Sequence, residues 1–211
     1  MRRRRGLFVV LEGLDGAGTT TQAGRLGDWL RARGRQVHLT AEPSKGPVGT
    51  QIRHVLSGRL RGGSGGDFDP GALALLFAAD RLDHWSGEIQ PRLEAGVDVV
   101  SDRYVLSSLA YQAVATGDAE WVRALNARAP APVLTVFLRV RPAVALARRY
   151  AATAEREIFE VPAFQRRVHR AYGAALAGIV ADGQRVAELD GERGPDDVAR
   201  AVAAAVGTLL R

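Results

Sequence analysis

The sequence predicts an open α/β fold, with a five-stranded parallel sheet flanked by helices on both faces. Short, unbroken apolar runs are typical of strands buried on both sides, and longer segments with helical periodicity separate them. This alternation indicates parallel strands, because each parallel pair needs a long crossover connection. The first apolar run is also followed directly by a glycine-rich turn and an amphipathic segment.

The predicted elements follow one another in a regular order. The strands are expected at Leu7–Leu11, Val37–Thr40, Val97–Ser101, Val133–Val140 and Arg185–Leu189. The helices are expected at Thr19–Arg33, Ala72–Glu94, Tyr104–Thr116, Pro142–Ala152, Val161–Ala181 and Pro195–Leu210. Glycines directly after helical segments mark their ends, and a proline opens the last one.

Length and composition restrict the class of protein. With 211 residues, the chain is predicted to form a single domain spanning 1–211. Within it, 1–6 is expected to be a basic tail and 62–67 a flexible loop, too glycine-rich for regular structure. Apolar runs fall short of the roughly 20 residues that span a membrane, and cysteine is absent. We therefore expect a cytoplasmic protein with no membrane partner.

The charge balance is basic, with a formal net charge of +6. Lys45 is the single lysine, so nearly all the positive charge is arginine. A GC-rich coding sequence explains this bias most simply, and the functional alternative is an anionic ligand, which a guanidinium grips at two points. The arginines are spread along the chain, with one tight cluster at Arg2–Arg5. A specific nucleic-acid partner is therefore not expected, and a nucleic-acid-binding module is the least favoured alternative.

The strongest local signal lies between the first strand and the first helix. Gly13-x-x-x-x-Gly18-Thr19-Thr20 matches a phosphate-binding loop, except that Thr19 stands where the motif has lysine. Backbone amides and the helix N-terminus can still bind an anion, and Thr20 offers a hydroxyl suited to Mg²⁺. The cation that accompanies the β- and γ-phosphates is missing. From these residues alone, a phosphate loop and a ligand-free glycine turn are about equally favoured.

Further segments agree in order and spacing with one known family. They are Glu12-Gly13-Leu14-Asp15-Gly16, Glu42-Pro43-Ser44-x-Gly46-Pro47-x-Gly49-x-x-Ile52-Arg53, Leu76-Phe77-Ala78-Ala79-Asp80-Arg81-x-x-His84, Asp102-Arg103-Tyr104-x-x-Ser107-Ser108-x-Ala110-Tyr111-Gln112, and Arg156-Glu157-x-Phe159-Glu160. Together they resemble the thymidylate kinase family of nucleoside monophosphate kinases over nearly the whole chain. The resemblance implies a P-loop kinase fold, ATP and dTMP as substrates, Mg²⁺ as cofactor, a homodimer, and phosphoryl transfer that yields dTDP and ADP in dTTP synthesis.

The resemblance also implies residue roles. ATP binding falls on the loop and on one arginine of a later helix: Gly13, Gly16, Ala17, Gly18, Thr19, Thr20, Thr21 and Arg148. The dTMP site would comprise Asp15, Glu42, Phe77, Arg81, Arg103, Ser108, Tyr111 and Gln112. In it, Phe77 would stack on thymine and Arg81 would reach the base or the acceptor phosphate from the same helix face. Thr20 and Asp102 would hold the metal, and the implied catalytic residues are Asp15, Arg103 and Arg156.

The glycine loop carries no arginine, so the chain is similar to relatives that place a catalytic arginine in a lid, here expected at about 148–160. Arg156 best matches that lid motif. The charge missing at Thr19 could come from Lys45 or from the arginines near residue 150. Two alternatives stay open: a catalytically impaired nucleotide-binding pseudokinase, and a kinase for another nucleotide or deoxynucleoside.

Overall fold

The computed structural model describes residues 5–152 and 158–210. Its strands are β1 (Phe8–Gly13), β2 (Val37–Ala41), β3 (Asp98–Asp102), β4 (Leu134–Arg139) and β5 (Val186–Asp190). Its helices are α1 (Thr19–Arg31), α2 (Pro47–Leu56), α3 (Pro70–His84), α4 (Gln90–Glu94), α5 (Val105–Thr116), α6 (Ala119–Leu125), α7 (Pro142–Ala152), α8 (Pro162–Ala181) and α9 (Pro195–Gly207).

The five strands form one parallel sheet in the order β2-β3-β1-β4-β5, which confirms the predicted α/β class. Leu11 is paired with Asp102 of β3, and Gly13 with Leu138 of β4. The carboxyl ends of all strands therefore meet at one edge. The chain reverses its direction of strand addition beside β1, and ligands of open α/β sheets bind at such a switch point.

Helices cover both faces of the sheet because successive strand residues point to opposite sides. On one face, Phe8 and Val10 of β1 pack with Ile89 and other buried residues. On the other, Val9 and Leu11 join a larger core that includes residues from α1, α5, α8 and α9. β1 is buried along its whole length, which fixes the position of the glycine loop that follows it.

Two helices, α2 and α6, are absent from the sequence prediction, although the signals for both can be recognised. Pro47 opens α2, where proline is favoured because its missing N–H costs nothing at a helix start. Asp118 caps α6 by accepting a hydrogen bond from the backbone of Trp121. Both helices are short, with 10 and 7 residues, which leaves little length for a recognisable helical periodicity.

The predicted helix over 72–94 contains a π-helical segment, Trp85–Ile89, between α3 and α4. The amide of Gln90 bonds to the carbonyl of Trp85, five residues back. Pro91 follows directly; it has no N–H to donate, and its ring would clash with the carbonyl four residues earlier. The wider turn accommodates the proline without ending the helix.

The expectation that 62–67 lacks regular structure is wrong at its centre, because Gly63–Gly65 forms a single 3₁₀ turn. The amide of Gly62 bonds to the carbonyl of Gly66 at 3.0 Å and closes this turn. Of the predicted lid, α7 covers 148–152 and α8 begins at Pro162, while 153–157 lies outside the described residues. Within the part of the chain that the structure describes, no helix combines the length and the apolar character needed to cross a membrane.

Candidate active site

A cavity of about 800 Å³ opens at the carboxyl edge of the sheet. Its floor is the glycine loop after β1, and its walls come from α3, α5, α7 and the loop between β5 and α9. A space of this size is typical of sites for small molecules such as nucleotides. The cavity therefore joins the region expected to bind ATP to the region expected to bind dTMP.

The glycine loop folds as a phosphate-binding loop does. Gly18 has φ 94° and precedes the first turn of α1, where its carbonyl accepts the Gln22 amide. The residues from Asp15 to Thr21 line the cavity at this helix N-terminus, where unpaired amides favour an anion. Gly13 is not among the described lining residues; instead its carbonyl accepts hydrogen bonds from Arg103 and Tyr172.

Thr19 lines the cavity and is buried, so a neutral hydroxyl occupies the position of the usual lysine. Two arginines of α7, Arg148 and Arg149, line the same cavity as Thr19. Arg148 donates to the carbonyl of Gly191 at 2.8 Å, and the Nε of Arg149 lies 2.7 Å from a Glu160 carboxylate oxygen. Lys45 is exposed and is not one of the described residues that line the cavity.

The Thr20 hydroxyl donates a hydrogen bond to Oδ2 of Asp102, which joins α1 to the end of β3. The other oxygen, Oδ1, is buried without a hydrogen-bond partner in the described residues. An unpartnered carboxylate oxygen beside a hydroxyl fits a hard cation that is held partly by substrate phosphates. No cluster of three or more metal-ligating side chains occurs among residues 5–152 and 158–210. The residues present therefore fit Mg²⁺ carried with a nucleotide.

Arg103 follows β3 in a left-handed conformation with φ 73°, the only described residue other than glycine with positive φ. Its Nη2 donates to Asp15 at 2.6 Å, and its Nη1 donates to Gly13 and Ser107 at 3.0 Å each. Burial opposes the guanidinium charge, but the Asp15 carboxylate raises the pKa of Arg103 well above its usual value. This side chain is thus a permanent, oriented cation in the cavity wall.

The hydroxyl of Tyr111 donates to Oδ2 of Asp15 at 2.9 Å and accepts the Asp15 amide at 3.1 Å. Burial, followed by the Asp15 charge, raises the pKa of Tyr111, so the phenol stays protonated. Gln112 also lines the cavity, one residue further along α5. α5 therefore contributes a polar wall next to the glycine loop.

Phe77 and Arg81 line the cavity one turn apart on α3, as the sequence predicted. The guanidinium of Arg81 is almost fully buried, and its Nε donates to Glu42 at 2.9 Å. Its Nη2 donates to the Tyr104 carbonyl and to the Ser108 hydroxyl at 3.1 Å each. Ser108 itself is not among the described lining residues, so it contacts this site through Arg81.

Arg156 lies outside the described residues, and its position stays a prediction. Other residues of the site were not found from the sequence: Gln22, Arg53, Ser107, Asn126, Gln165 and Tyr172 line the cavity or bond to residues that do. Arg53 and Ser107 belong to the motifs that carry the family resemblance, but the other four gave no local signal. Most of them approach the site from segments distant in the chain.

The fold and the site together define a P-loop kinase of the nucleoside monophosphate kinase class. The sequence pattern of the family described as "Thymidylate kinase" matches residues 11–201. The chain is 40% identical over 205 residues to the "Probable thymidylate kinase" of Pyrobaculum aerophilum, covering 97% of this chain and 98% of that protein. It is 41% identical over 171 residues to the "Probable thymidylate kinase" of Thermococcus kodakarensis, covering 79% and 82%. The chain belongs to the thymidylate kinase family.

Proposed function

We propose that this kinase transfers the γ-phosphoryl group of ATP to dTMP, giving dTDP and ADP in dTTP synthesis. The observation that carries the proposal is that one cavity joins the glycine loop to the Phe77–Arg81 wall, with the Asp15–Arg103 pair between them. A donor and an acceptor bound in this cavity would meet at an oriented cation. The similarity to proteins named "Probable thymidylate kinase", over nearly the full length in the case of Pyrobaculum aerophilum, supports the same acceptor.

The donor would lie over the glycine loop. The amides of 16–21 and the N-terminus of α1 would bind the β- and γ-phosphates, while Arg148 and the β5–α9 loop would border the nucleoside end. Thr20 and Asp102 would hold Mg²⁺, which supplies charge neutralisation to the phosphates when bound.

The acceptor would lie between α3 and α5. Phe77 offers an aromatic face to a base, Arg81 lies one turn away, and Tyr111 with Asp15 forms a polar edge for the sugar. Arg103 would bind the acceptor phosphate, since its guanidinium is permanently charged and held by Asp15. The acceptor is already an oxyanion, so positioning and charge, rather than a strong general base, would drive the reaction.

The charge missing at Thr19 would be supplied by arginines that approach from α7. Arg148 and Arg149 both line the cavity, and the backbone of Arg149 packs on the glycine loop, with its nitrogen 3.1 Å from an ideal Cβ built on Gly16. We expect Arg149→Ala to lower kcat at least tenfold, a loss on the order of 1.4 kcal/mol of transition-state stabilisation. Arg156 remains a sequence-based candidate for the same task, and normal turnover of Arg156→Ala would remove it.

The experiment is an assay of the full chain with ATP, Mg²⁺ and dTMP, in which dTDP is separated and quantified. Competition with dUMP, thymidine and dCMP then ranks the acceptors. The proposal requires dTDP to form and dTMP to be preferred. Product from another acceptor in place of dTDP would identify a different nucleotide kinase.

Thr19 favours a second candidate function, a nucleotide-binding protein with impaired catalysis. The activity of the Thr19→Lys variant distinguishes the two functions when dTMP binding is measured in parallel. An enzyme adapted to threonine would gain little or lose activity, whereas a pseudokinase would bind dTMP, form no dTDP, and gain a rate only with the lysine.

We also propose that the chain is one kinase domain, acts in the cytoplasm and forms a homodimer. The dimer is supported by Leu75 and Leu82, seven residues apart on α3 and therefore on one stripe, which are 50% and 40% exposed. Light scattering of the intact chain and of Leu75→Glu would test this association.

A further inference from the structure

Glu12 is a buried carboxylate to which the proposed reaction gives no part. It lies near the end of β1, one residue before the glycine loop, and its exposed fraction is 0%. It is not among the described residues that line the active-site cavity. Ionised groups are rarely buried unless their surroundings compensate the charge, so its contacts indicate what it does.

The contacts of Glu12 hold the start of α5. Its Oε1 accepts the amide of Tyr104 at 2.9 Å and the amide of Ser107 at 3.0 Å. Tyr104 is the N-cap of α5, and its own side chain makes no capping hydrogen bond. Glu12 therefore caps α5 from β1 and places a negative charge at the positive end of the helix dipole.

The second oxygen of Glu12 reaches Arg103 through one hydroxyl. The Ser107 hydroxyl donates to Oε2 at 2.6 Å, which directs its lone pairs to the Nη1 of Arg103 at 3.0 Å. Tyr172 closes the group, with its hydroxyl 3.1 Å from Ser107 and 3.4 Å from Oε2. Arg103 is itself the residue in the left-handed conformation just before the helix that Glu12 caps.

We propose that Glu12 is the positioning residue that holds Arg103 in the geometry needed to grip the acceptor phosphate. This inference rests on the proposed function, because it assigns that phosphate to Arg103. Glu12 acts in two ways: it fixes the backbone of the turn through Tyr104 and Ser107, and it orients the Ser107 hydroxyl as an acceptor for the guanidinium. It does not touch the nucleotide.

The charge state of Glu12 gives this role a measurable signature. Burial raises the pKa of Glu12 to about 7, against the charge of Arg103 and the hydrogen bonds from Ser107 and Tyr104. The other charged or titratable groups around it, from the loop, β3, α5 and α8, are Asp15, Asp102, Tyr104, Tyr111 and Tyr172. Burial raises the pKa of Tyr111 and of Tyr172, so these phenols stay protonated across neutral pH. A protonated Glu12 would no longer direct the Ser107 hydroxyl toward itself.

The first experiment compares the full-length protein with Glu12→Gln, which has the same shape and no charge. Binding of dTMP and of thymidine is measured by calorimetry at pH 8. We expect Glu12→Gln to bind dTMP about tenfold more weakly, the equivalent of one hydrogen bond to a charged group. Thymidine has no phosphate and should bind both proteins equally. Equal affinity of both proteins for dTMP, or a matching loss for thymidine, would overturn the inference.

The pH dependence separates positioning from general structural damage. The ratio of the two dTMP affinities cancels the titration of the phosphate, which is the same ligand in both measurements. This ratio should fall from about tenfold at pH 8 toward one at pH 6, where wild-type Glu12 is mostly protonated. A ratio that stays constant across this range contradicts the role assigned to the charge.

Ser107→Ala keeps the inference testable if Glu12→Gln does not fold, since it removes only the hydroxyl between Glu12 and Arg103. It should weaken dTMP binding and leave thymidine binding unchanged. Where both variants fold, the double variant should lose no more than Glu12→Gln alone, because both remove one path. Independent, additive losses would contradict that path. Failure of the wild-type protein to bind dTMP would instead refute the proposed function, and the two failures are thereby distinguished.

Discussion

The carbonyl oxygen of Ala145 occupies the space that a side chain at Gly16 would need, since an ideal Cβ there lies 2.1 Å from it. The backbone of α7 thus packs directly on the glycine loop. The same contact explains why position 16 cannot hold an arginine of its own. It also brings Arg148 and Arg149 to the cavity from the outside of the loop.

Gly16→Ala is expected to disrupt this contact. The residue has φ +85°, which strains any side chain, and the new Cβ would collide with the backbone of α7. We expect the free energy of unfolding to fall by about 2 kcal/mol and ATP binding to weaken. Gly24→Ala is the matched control, since Gly24 lies in α1 with open space around it. In this variant the free energy of unfolding should rise by up to about 1 kcal/mol. Denaturant unfolding and ATP titration measure both, and equal behaviour of the two variants would disprove the steric argument.

Thr20→Ala should raise the Mg²⁺ concentration that gives half-maximal rate by about tenfold, because the hydroxyl that orients Asp102 is lost. The measurement is the initial rate at saturating ATP and dTMP over a series of Mg²⁺ concentrations. Asp28→Asn serves as control, since this carboxylate lies exposed on the same helix and pairs only with Arg31 among the described residues. An unchanged Mg²⁺ dependence of Thr20→Ala would count against this metal position.

Phe77→Ala should weaken dTMP and thymidine alike by about tenfold or more, since an aromatic face contributes about 1–3 kcal/mol per stacked base. Val180→Ala, at an exposed position of α8 that is not among the described residues lining the cavity, should change neither affinity. Equilibrium binding of both ligands to both variants provides the test. Selective loss of dTMP alone would show that Phe77 serves the phosphate rather than the base.

The stability of the protein should depend on pH through Glu12. Its pKa rises from 4.5 to about 7 on folding, so the folded state binds the extra proton between these values. The stabilisation is fully present below pH 4.5 and is lost as the pH rises through 7, by about 3 kcal/mol at 1.36 kcal/mol per unit. The free energies of unfolding of wild type and Glu12→Gln are measured across pH 4.5–8. As the pH rises, the wild type should lose stability relative to the variant. A constant difference would mean that Glu12 does not titrate in this range.

Much of the fold follows from local patterns in the sequence. β1 is an apolar run bounded by Glu12 and Gly13, and its burial leaves little freedom in where the loop begins. The shared helix face of Phe77 and Arg81 follows from their spacing, whereas their assignment to the site came from the family resemblance. Short elements are harder to predict. The sequence signals for α6 are a single capping residue, Asp118, and few apolar positions.

The residues that complete the site could not be predicted, because their partners are distant in the chain. Tyr172 meets Glu12 across 160 positions, and no local pattern reports such a contact. Ser107 and Ser108 illustrate a second limit. Neighbouring residues on a helix point about 100° apart. The first residue of α5 must therefore be identified before one can tell which serine faces the cavity.

The contacts of Arg81 have a consequence for how a ligand is selected. Glu42, Tyr104 and Ser108 immobilise its long side chain in the ligand-free protein. The rotamer entropy of that side chain, about 2 kcal/mol, is therefore lost on folding and not again on binding. A nucleotide entering between α3 and α5 meets a rigid template, so selection among bases depends on how well each incoming ring matches a shape that is already set.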